Sequence, residues 1–369
     1  MEKKKPALRD ILNSAVLIGV IGVFFILNLI VPPPSVLESE RRAPAKFPAL
    51  SVSSVLSGSF MNKFEDYAAD RFVFRDVFRA VHTFVVLDIY RQNDKSGLYR
   101  SKAVGVGEFR RTNAVSFRQT AERVKKAADS LAGLDMNIYY SIIPDKSVFA
   151  ERYMPGFDIE TAEAIIEGVL YDYEYIPLFE SLSAGSYYKT DLHWDQTKMT
   201  GAASNLLKAM GAETVFGDYN KVVAGDFRGV YAGQIALPVD PDILAYLDIP
   251  GLAVSYLNEK TLEFESGPLY DAERFNGVDP YDIFLSGPQP LITIESGAAS
   301  GRELYLFRDS FGSSLAPLLT GVYSKITLID LRYIHLSLVE RFVDFTPGSD
   351  VLFIYSSQIF NNPSVLQTQ

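Results

Sequence analysis

From Ile11 to Val31 the chain carries no charged residue, and the run stops at Pro32-Pro33-Pro34. Roughly 20 apolar residues in a row are what a helix needs to cross a bilayer, with every backbone amide bonded inside the helix. A buried helix of a soluble domain would show a polar stripe, and here only Asn13, Ser14 and Asn28 interrupt the run. Lys3, Lys4, Lys5 and Arg9 precede it, against Glu2 and Asp10, and such a basic flank stays in the cytoplasm. The expectation is a single-pass cell-membrane protein: a basic cytoplasmic tail over 1–10, an anchor over 11–31 and an extracytoplasmic body. The alternative is a cleaved signal peptide. Its apolar core is usually about 7–15 residues, and the small residues here, Ala43-Pro44-Ala45, come late and contain a proline.

The rest of the 369 residues is long enough for one large domain or two smaller ones. Net charge is -10, with no basic stripe beyond the N-terminus, which argues against a nucleic-acid partner. Cysteine is absent, so disulfides, thiol catalysis and thiolate metal sites are excluded together. Residues 32–59 are rich in Pro, Ser and Ala and read as a linker. Phe60 to Tyr90 reads as helix, with Asp70, Arg71 and Arg75 taken as surface ion pairs. Helical spacing follows over Phe117–Leu131, Ile159–Leu170 and Thr197–Met210. Strand-like runs occupy Met136–Ile143, Tyr175–Leu178, 304–307, 325–329 and 351–355. That alternation favours an α/β sheet flanked by helices over 60–360. Residues 212–300, rich in Gly, Pro, Asp and aromatics, read as an irregular insertion, and 361–369 as a frayed tail.

Two short sets of residues carry chemistry. Asp191 and His193 stand two apart in Tyr187-Tyr188-Lys189-Thr190-Asp191-Leu192-His193-Trp194, which holds the only tryptophan and one of three histidines. An acid that accepts one imidazole N–H leaves the other ring nitrogen free to act as a base. The candidate nucleophile is Ser310, in the polar turn that ends the run Leu304–Arg308. There α/β folds expose side chains at strand carboxyl ends, and N–H groups of the next helix can stabilise an oxyanion. Asp309 is expected to cap the helix or fix the turn rather than to orient the histidine. Of the other histidines, His82 looks like core. His335 could line a site but has no close acid on its N-terminal side. No second histidine lies at ligand spacing from His193, so no metal is expected, and no cofactor.

These segments resemble the signature of the DHHW family and the D-x-H-W motif of alginate O-acetyltransferases with an SGNH-hydrolase-like domain. Asp279-Pro280-Tyr281-Asp282-Ile283-Phe284-Leu285-Ser286-Gly287 is similar to the family's D-K-Y-x-x-F-L-G-G segment. Arg308-Asp309-Ser310-Phe311 is similar to its serine segment, and Ile329-Asp330-Leu331-Arg332-Tyr333 to its D-x-R-Y segment. Earlier, Phe47-Pro48 and Asp70-Arg71-Phe72 fit as well, so the resemblance spans roughly 38–360 in order. It implies an SGNH-hydrolase-like α/β fold with Ser310 as nucleophile, His193 as base and Asp191 as orienting acid. It further implies O-acetyl transfer to, or removal from, an extracellular polysaccharide, beside a membrane-bound O-acyltransferase partner. Tyr188, Lys189, Trp194, Arg308 and Arg332 are candidate glycan contacts.

The sequence departs from the family pattern at three places. Leu192 replaces the first histidine of D-H-H-W. Arg308 stands where Lys or Gly is usual. Ser286-Gly287-Pro288 replaces Gly-Gly-Asn, removing an Asn donor for which Gln289 is the substitute in reach. The alternatives to an acyltransferase are therefore a carbohydrate acetylesterase, or a non-catalytic glycan-binding or assembly protein of an export complex.

Overall fold

The computed structural model describes residues 8–151, 157–212, 216–217 and 219–368. The tail expected over 1–10 lies outside the described residues for its first seven positions, Lys3 to Lys5 included. The chain divides into two compact units, 1–90 and 91–369. The helices of 59–90 thus belong with the N-terminal unit, whereas the sequence placed them in the α/β domain.

The N-terminal unit holds α1 (Leu8–Ile30), α2 (Val52–Leu56), α3 (Ser59–Arg71) and α4 (Arg75–Phe84). Within α1, Ile11–Ile30 is long and apolar enough to cross a membrane, and none of it is buried. The helix expected over Phe60–Tyr90 breaks after Arg71, where Phe74 turns to a left-handed φ of 60°. Asp70 is not part of a loose surface pair. It is buried and accepts both terminal nitrogens of Arg42, at 2.6 and 2.8 Å, and the Ala45 N–H at 2.8 Å. Arg75 meets Glu40 in the same cluster. The segment read as a linker supplies both Glu40 and Arg42, so part of it is pinned to α3. His82 is exposed rather than core.

The second unit is built on an eight-stranded sheet, β4-β3-β12-β10-β11-β9-β7-β8 in spatial order. Two small hairpins stand outside it, β1 (Leu98–Ser101) with β2 (Gly105–Glu108) and β5 (Asn220–Phe227) with β6 (Asp242–Asp248). In the main sheet β3 (Asn137–Ile143), β4 (Glu174–Tyr175), β10 (Glu303–Arg308), β11 (Lys325–Ile329) and β12 (Asp350–Ser356) run parallel. β7 (Ala253–Leu257), β8 (Phe264–Gly267) and β9 (Leu291–Glu295) add an antiparallel edge. Residues 212–300 are therefore not a mere insertion, since three of their strands complete the sheet.

The side-chain period of 2 explains why the central strands read as continuous apolar runs. Leu304, Leu306, Leu352 and Ile354 face a core shared with α7 (Thr200–Ala209) and α9 (Phe311–Leu319). Tyr305, Phe307, Val351 and Phe353 face the opposite core, shared with α5 (Ala114–Ala132) and α6 (Ile159–Val169). Each large apolar side chain so buried contributes about 1.5–3 kcal/mol. The tail does not fray: Leu366 is fully buried in the second core, and Gln367 exchanges backbone bonds with Leu331 and Leu336. Two neighbouring apolar residues in a polar stretch, Val365 and Leu366, are enough to dock it. The result is an α/β sheet flanked by helices, the fold class that the alternation of elements in the sequence predicts.

Candidate active site

The site lies beyond the carboxyl ends of the parallel strands, where such sheets open a crevice. β10 ends in Arg308-Asp309-Ser310 and runs straight into α9. Asp309 fixes that turn, accepting the Phe311 N–H at 3.1 Å and the Ser356 N–H, from the end of β12, at 2.8 Å. This leaves the Ser310 side chain half-buried and uncommitted to capping α9. Its backbone N–H has no hydrogen-bond partner among the described residues.

Asp191 and His193 sit on a tight loop closed by Tyr188 N–H to His193 C=O at 3.0 Å and Asp195 N–H to Ser186 C=O at 2.8 Å. His193 Nδ1 lies 2.7 Å from Asp191 Oδ1, and Nε2 lies 2.7 Å from Ser310 Oγ. The structure thus brings all three residues into one chain of hydrogen bonds. Asp191 is buried and also accepts the N–H groups of His193, at 3.0 Å, and Val230, at 2.8 Å. The Val230 contact comes from the first residue of α8 (Val230–Ile235) and requires Gly229 before it. A Cβ there would fall 2.3 Å from Asp191 Cβ. The ring of Tyr281 stacks on His193 at 3.8 Å and 9°.

Two supports of this loop were not visible in the sequence. Lys146, just past the end of β3, is buried and donates to the carbonyls of Tyr188, Lys189 and Asp191 at 2.9, 3.3 and 2.8 Å. Burial pushes its pKa down to about 8. Asp242, at the start of β6, accepts the N–H of Lys189 at 2.9 Å and the hydroxyl of Thr190 at 2.6 Å. The signals that could have flagged them are faint: a lone lysine after a strand and one acid among several.

A cavity of about 200 Å³ opens over Ser310 and His193, walled by Asp279, Tyr281, Asp282, Gly287, Arg308, Arg332 and Tyr333. Of the candidate glycan contacts, only Arg308 and Arg332 line it. Tyr188 is buried against Phe227, and Lys189 points into solvent, with its backbone tied to Asp242 and Val106. Trp194 is fully buried, its indole N–H on Ser314 Oγ at 2.7 Å, so it offers no face to a sugar. The exposed aromatic at the cavity is Tyr333. Gln289 does not replace the lost Asn donor, for its amide reaches back toward the Ser286 carbonyl at 3.5 Å.

Arg308 is the unusual group. Its side chain is 1% exposed, and burial lowers its pKa. One terminal nitrogen reaches Asp330 at 3.2 Å and the Asp309 carbonyl at 3.3 Å. The other, and Nε, have no partner among the described residues. Gly312 makes the fit possible, since a Cβ there would lie 2.6 Å from Arg308 Cβ. His335 caps a short helix, accepting the Ser337 N–H. Among the described residues, no cluster of three His, Asp or Glu could hold a metal.

No family model and no curated protein matches the chain. Solved structures do. A DHHW family protein from Eubacterium siraeum superposes with a TM-score of 0.60 at 19% identity, over 75% of this chain and 98% of that one. Bacillus cereus PatB1 carrying a sulfonyl adduct gives 0.58 at 15% identity, over 74% and 98%. A second structure of PatB1 gives 0.58 at 14%, over 73% and 99%. At these identities the likeness is one of fold, and at that level the resemblance to the DHHW family is borne out.

Proposed function

We propose that the protein is a serine O-acetyltransferase that acetylates an extracytoplasmic polysaccharide while anchored in the membrane by α1. The single observation that carries the reading is the Asp191–His193–Ser310 hydrogen-bond chain, at 2.7 Å in both steps. His193 Nε2 takes the proton as Ser310 Oγ attacks the acetyl carbonyl of the donor. Asp191 holds Nδ1–H and stabilises the imidazolium that forms. The oxygen of the tetrahedral intermediate meets the Ser310 N–H and the unpartnered nitrogens of Arg308, whose charge does in a water-poor site what an Asn side chain would do more weakly. His193 returns the proton to the leaving group, giving an acetyl-serine. In the second half, His193 deprotonates a sugar hydroxyl, that oxygen attacks the acetyl carbonyl, and Ser310 leaves with the proton.

The cavity supports a small acyl group and one acceptor hydroxyl, being below the roughly 300 Å³ usual for whole-ligand pockets. Its mouth carries the exposed ring of Tyr333, a flat face suited to a sugar ring, beside Arg332, which Asp330 holds in place. A membrane-bound O-acyltransferase is the partner this reading expects as the source of acetyl groups. The test is to give the full chain, in detergent, an activated acetyl ester with a panel of oligosaccharides. Acetylated sugar appearing faster than free acetate supports the transferase, and acetate alone would make it an esterase. Neither product from folded protein would sink both.

A further inference from the structure

One face of α4 is apolar and uncovered. Val77, Phe78, Val81 and Phe84 are 58%, 47%, 54% and 51% exposed. Their spacing puts them on one side of the helix, with Arg79 opposite and Arg75 and His82 along its polar edge. Phe74 before the helix and Ile89 and Tyr90 after it extend the exposed apolar surface. An exposed patch of this continuity marks an interaction surface.

What covers it is indicated by α1. The rings of Phe72 and Phe78 pack on Phe24 of α1 at 5.7 and 5.6 Å, and the Val73 N–H donates to Asn28 Oδ1 at 3.0 Å. Phe24 lies six residues inside the end of α1 at Ile30. At about 1.5 Å per residue that is a depth of about 9 Å. A helix lying in a bilayer interface sinks its apolar face about 5–10 Å. A membrane that receives α1 along its apolar length would therefore meet the α4 face as well.

We propose that α4 is a second membrane contact, an in-plane helix seated apolar side down in the leaflet from which α1 emerges. The inference rests on the membrane-anchored reading above. It changes what the linker does. With α4 seated in the interface, the tether to the α/β unit is the chain between Tyr90 and the first strand at Leu98 rather than the span from 32 to 90. A catalytic unit so short-leashed samples acyl donors and glycans at the membrane surface and not in bulk solution.

The sequence has no cysteine, so each introduced one is the sole thiol. Full-length Ile18→Cys, Val81→Cys, Phe84→Cys and His82→Cys would each be labelled with nitrobenzoxadiazole and reconstituted in phosphatidylethanolamine–phosphatidylglycerol vesicles. Nitroxides on the lipid acyl chains and iodide in the water then report depth. The expected result is blue-shifted emission and acyl-nitroxide quenching at 18, 81 and 84, with iodide quenching at 82. Lipid quenching at 18 but iodide quenching at 81 and 84 would overturn this inference and leave the anchor intact. Probes at 81 and 84 shielded from both quenchers would mean a protein surface, such as a second copy, covers the face, and would overturn it too. Iodide quenching at all four positions would overturn both the anchor and the in-plane helix.

Discussion

Replacing Arg308 with methionine separates its chemistry from its packing. The guanidinium holds Asp330 by one nitrogen at 3.2 Å, but Asp330 also accepts Arg332 Nε at 2.9 Å, Nη2 at 2.7 Å and the Arg332 N–H at 3.1 Å. Arg308→Met thus leaves no orphaned carboxylate, and an apolar side chain of similar length fills the space. Breaking a buried pair outright costs about 3–5 kcal/mol, whereas here the loss should be nearer one hydrogen bond, about 1 kcal/mol. The effect on rate should be larger. Removing an oxyanion donor lowers kcat by about 10²–10³, or about 2.7–4 kcal/mol. The ground-state carbonyl carries little charge, so KM should barely move. The assay is hydrolysis of a chromogenic acetyl ester by the full chain, beside thermal unfolding. A variant within about threefold of wild type in kcat, at unchanged Tm, would refute the oxyanion role. A raised KM at constant kcat would also refute it, because Arg308 would then bind substrate and transition state alike.

Three further outcomes follow from the geometry. Burial lowers the Lys146 pKa from 10.5 to about 8, so between those values the unfolded chain holds a proton that the folded chain has released. Stability attributable to Lys146 should therefore rise with pH across that window, by up to about 1.4 kcal/mol per pH unit, in urea titrations of wild type against Lys146→Met. A flat difference would contradict the lowered pKa, because it would mean that folded Lys146 keeps its proton across that window. Gly229→Ala drives a methyl into Asp191 and Thr190, so kcat should fall about 10²-fold through misplaced His193, measured on the same ester. Trp194→Phe should leave the KM for an oligosaccharide acceptor unchanged while destabilising the fold by about 1–3 kcal/mol, since it strips the indole N–H from Ser314. A raised acceptor KM at wild-type stability would restore Trp194 as a sugar contact.

The site was legible where its parts are local. Asp191 and His193 share one loop, and Ser310 follows a fully buried strand, so spacing and apolar runs exposed both. The parallel strands were readable for the same reason, being apolar on both faces. The antiparallel edge was not. β7 to β9 are short, lie among Gly and Pro, and become strands only by pairing with one another and, through β9, with β11. Trp194 misled because rarity suggested use, while its burial depends on Ser314, 120 residues away. Lys146 and Arg308 show the remaining limit. Their roles arise from what they lack or share in space, three carbonyls for one and two empty donors for the other, and neither is written in nearby residues.

The central claim is that Ser310 is a nucleophile activated by His193. Its most direct test is intact-mass spectrometry of the full chain after brief exposure to an arylsulfonyl fluoride, and separately to an activated acetyl ester. Ser310→Ala and His193→Ala are treated alike. The account predicts one sulfonyl and one acetyl adduct on wild type, each mapping to Ser310 by peptide fragmentation, and none on either variant. Folded wild-type protein that takes up no adduct, or takes it up equally in Ser310→Ala, would contradict it.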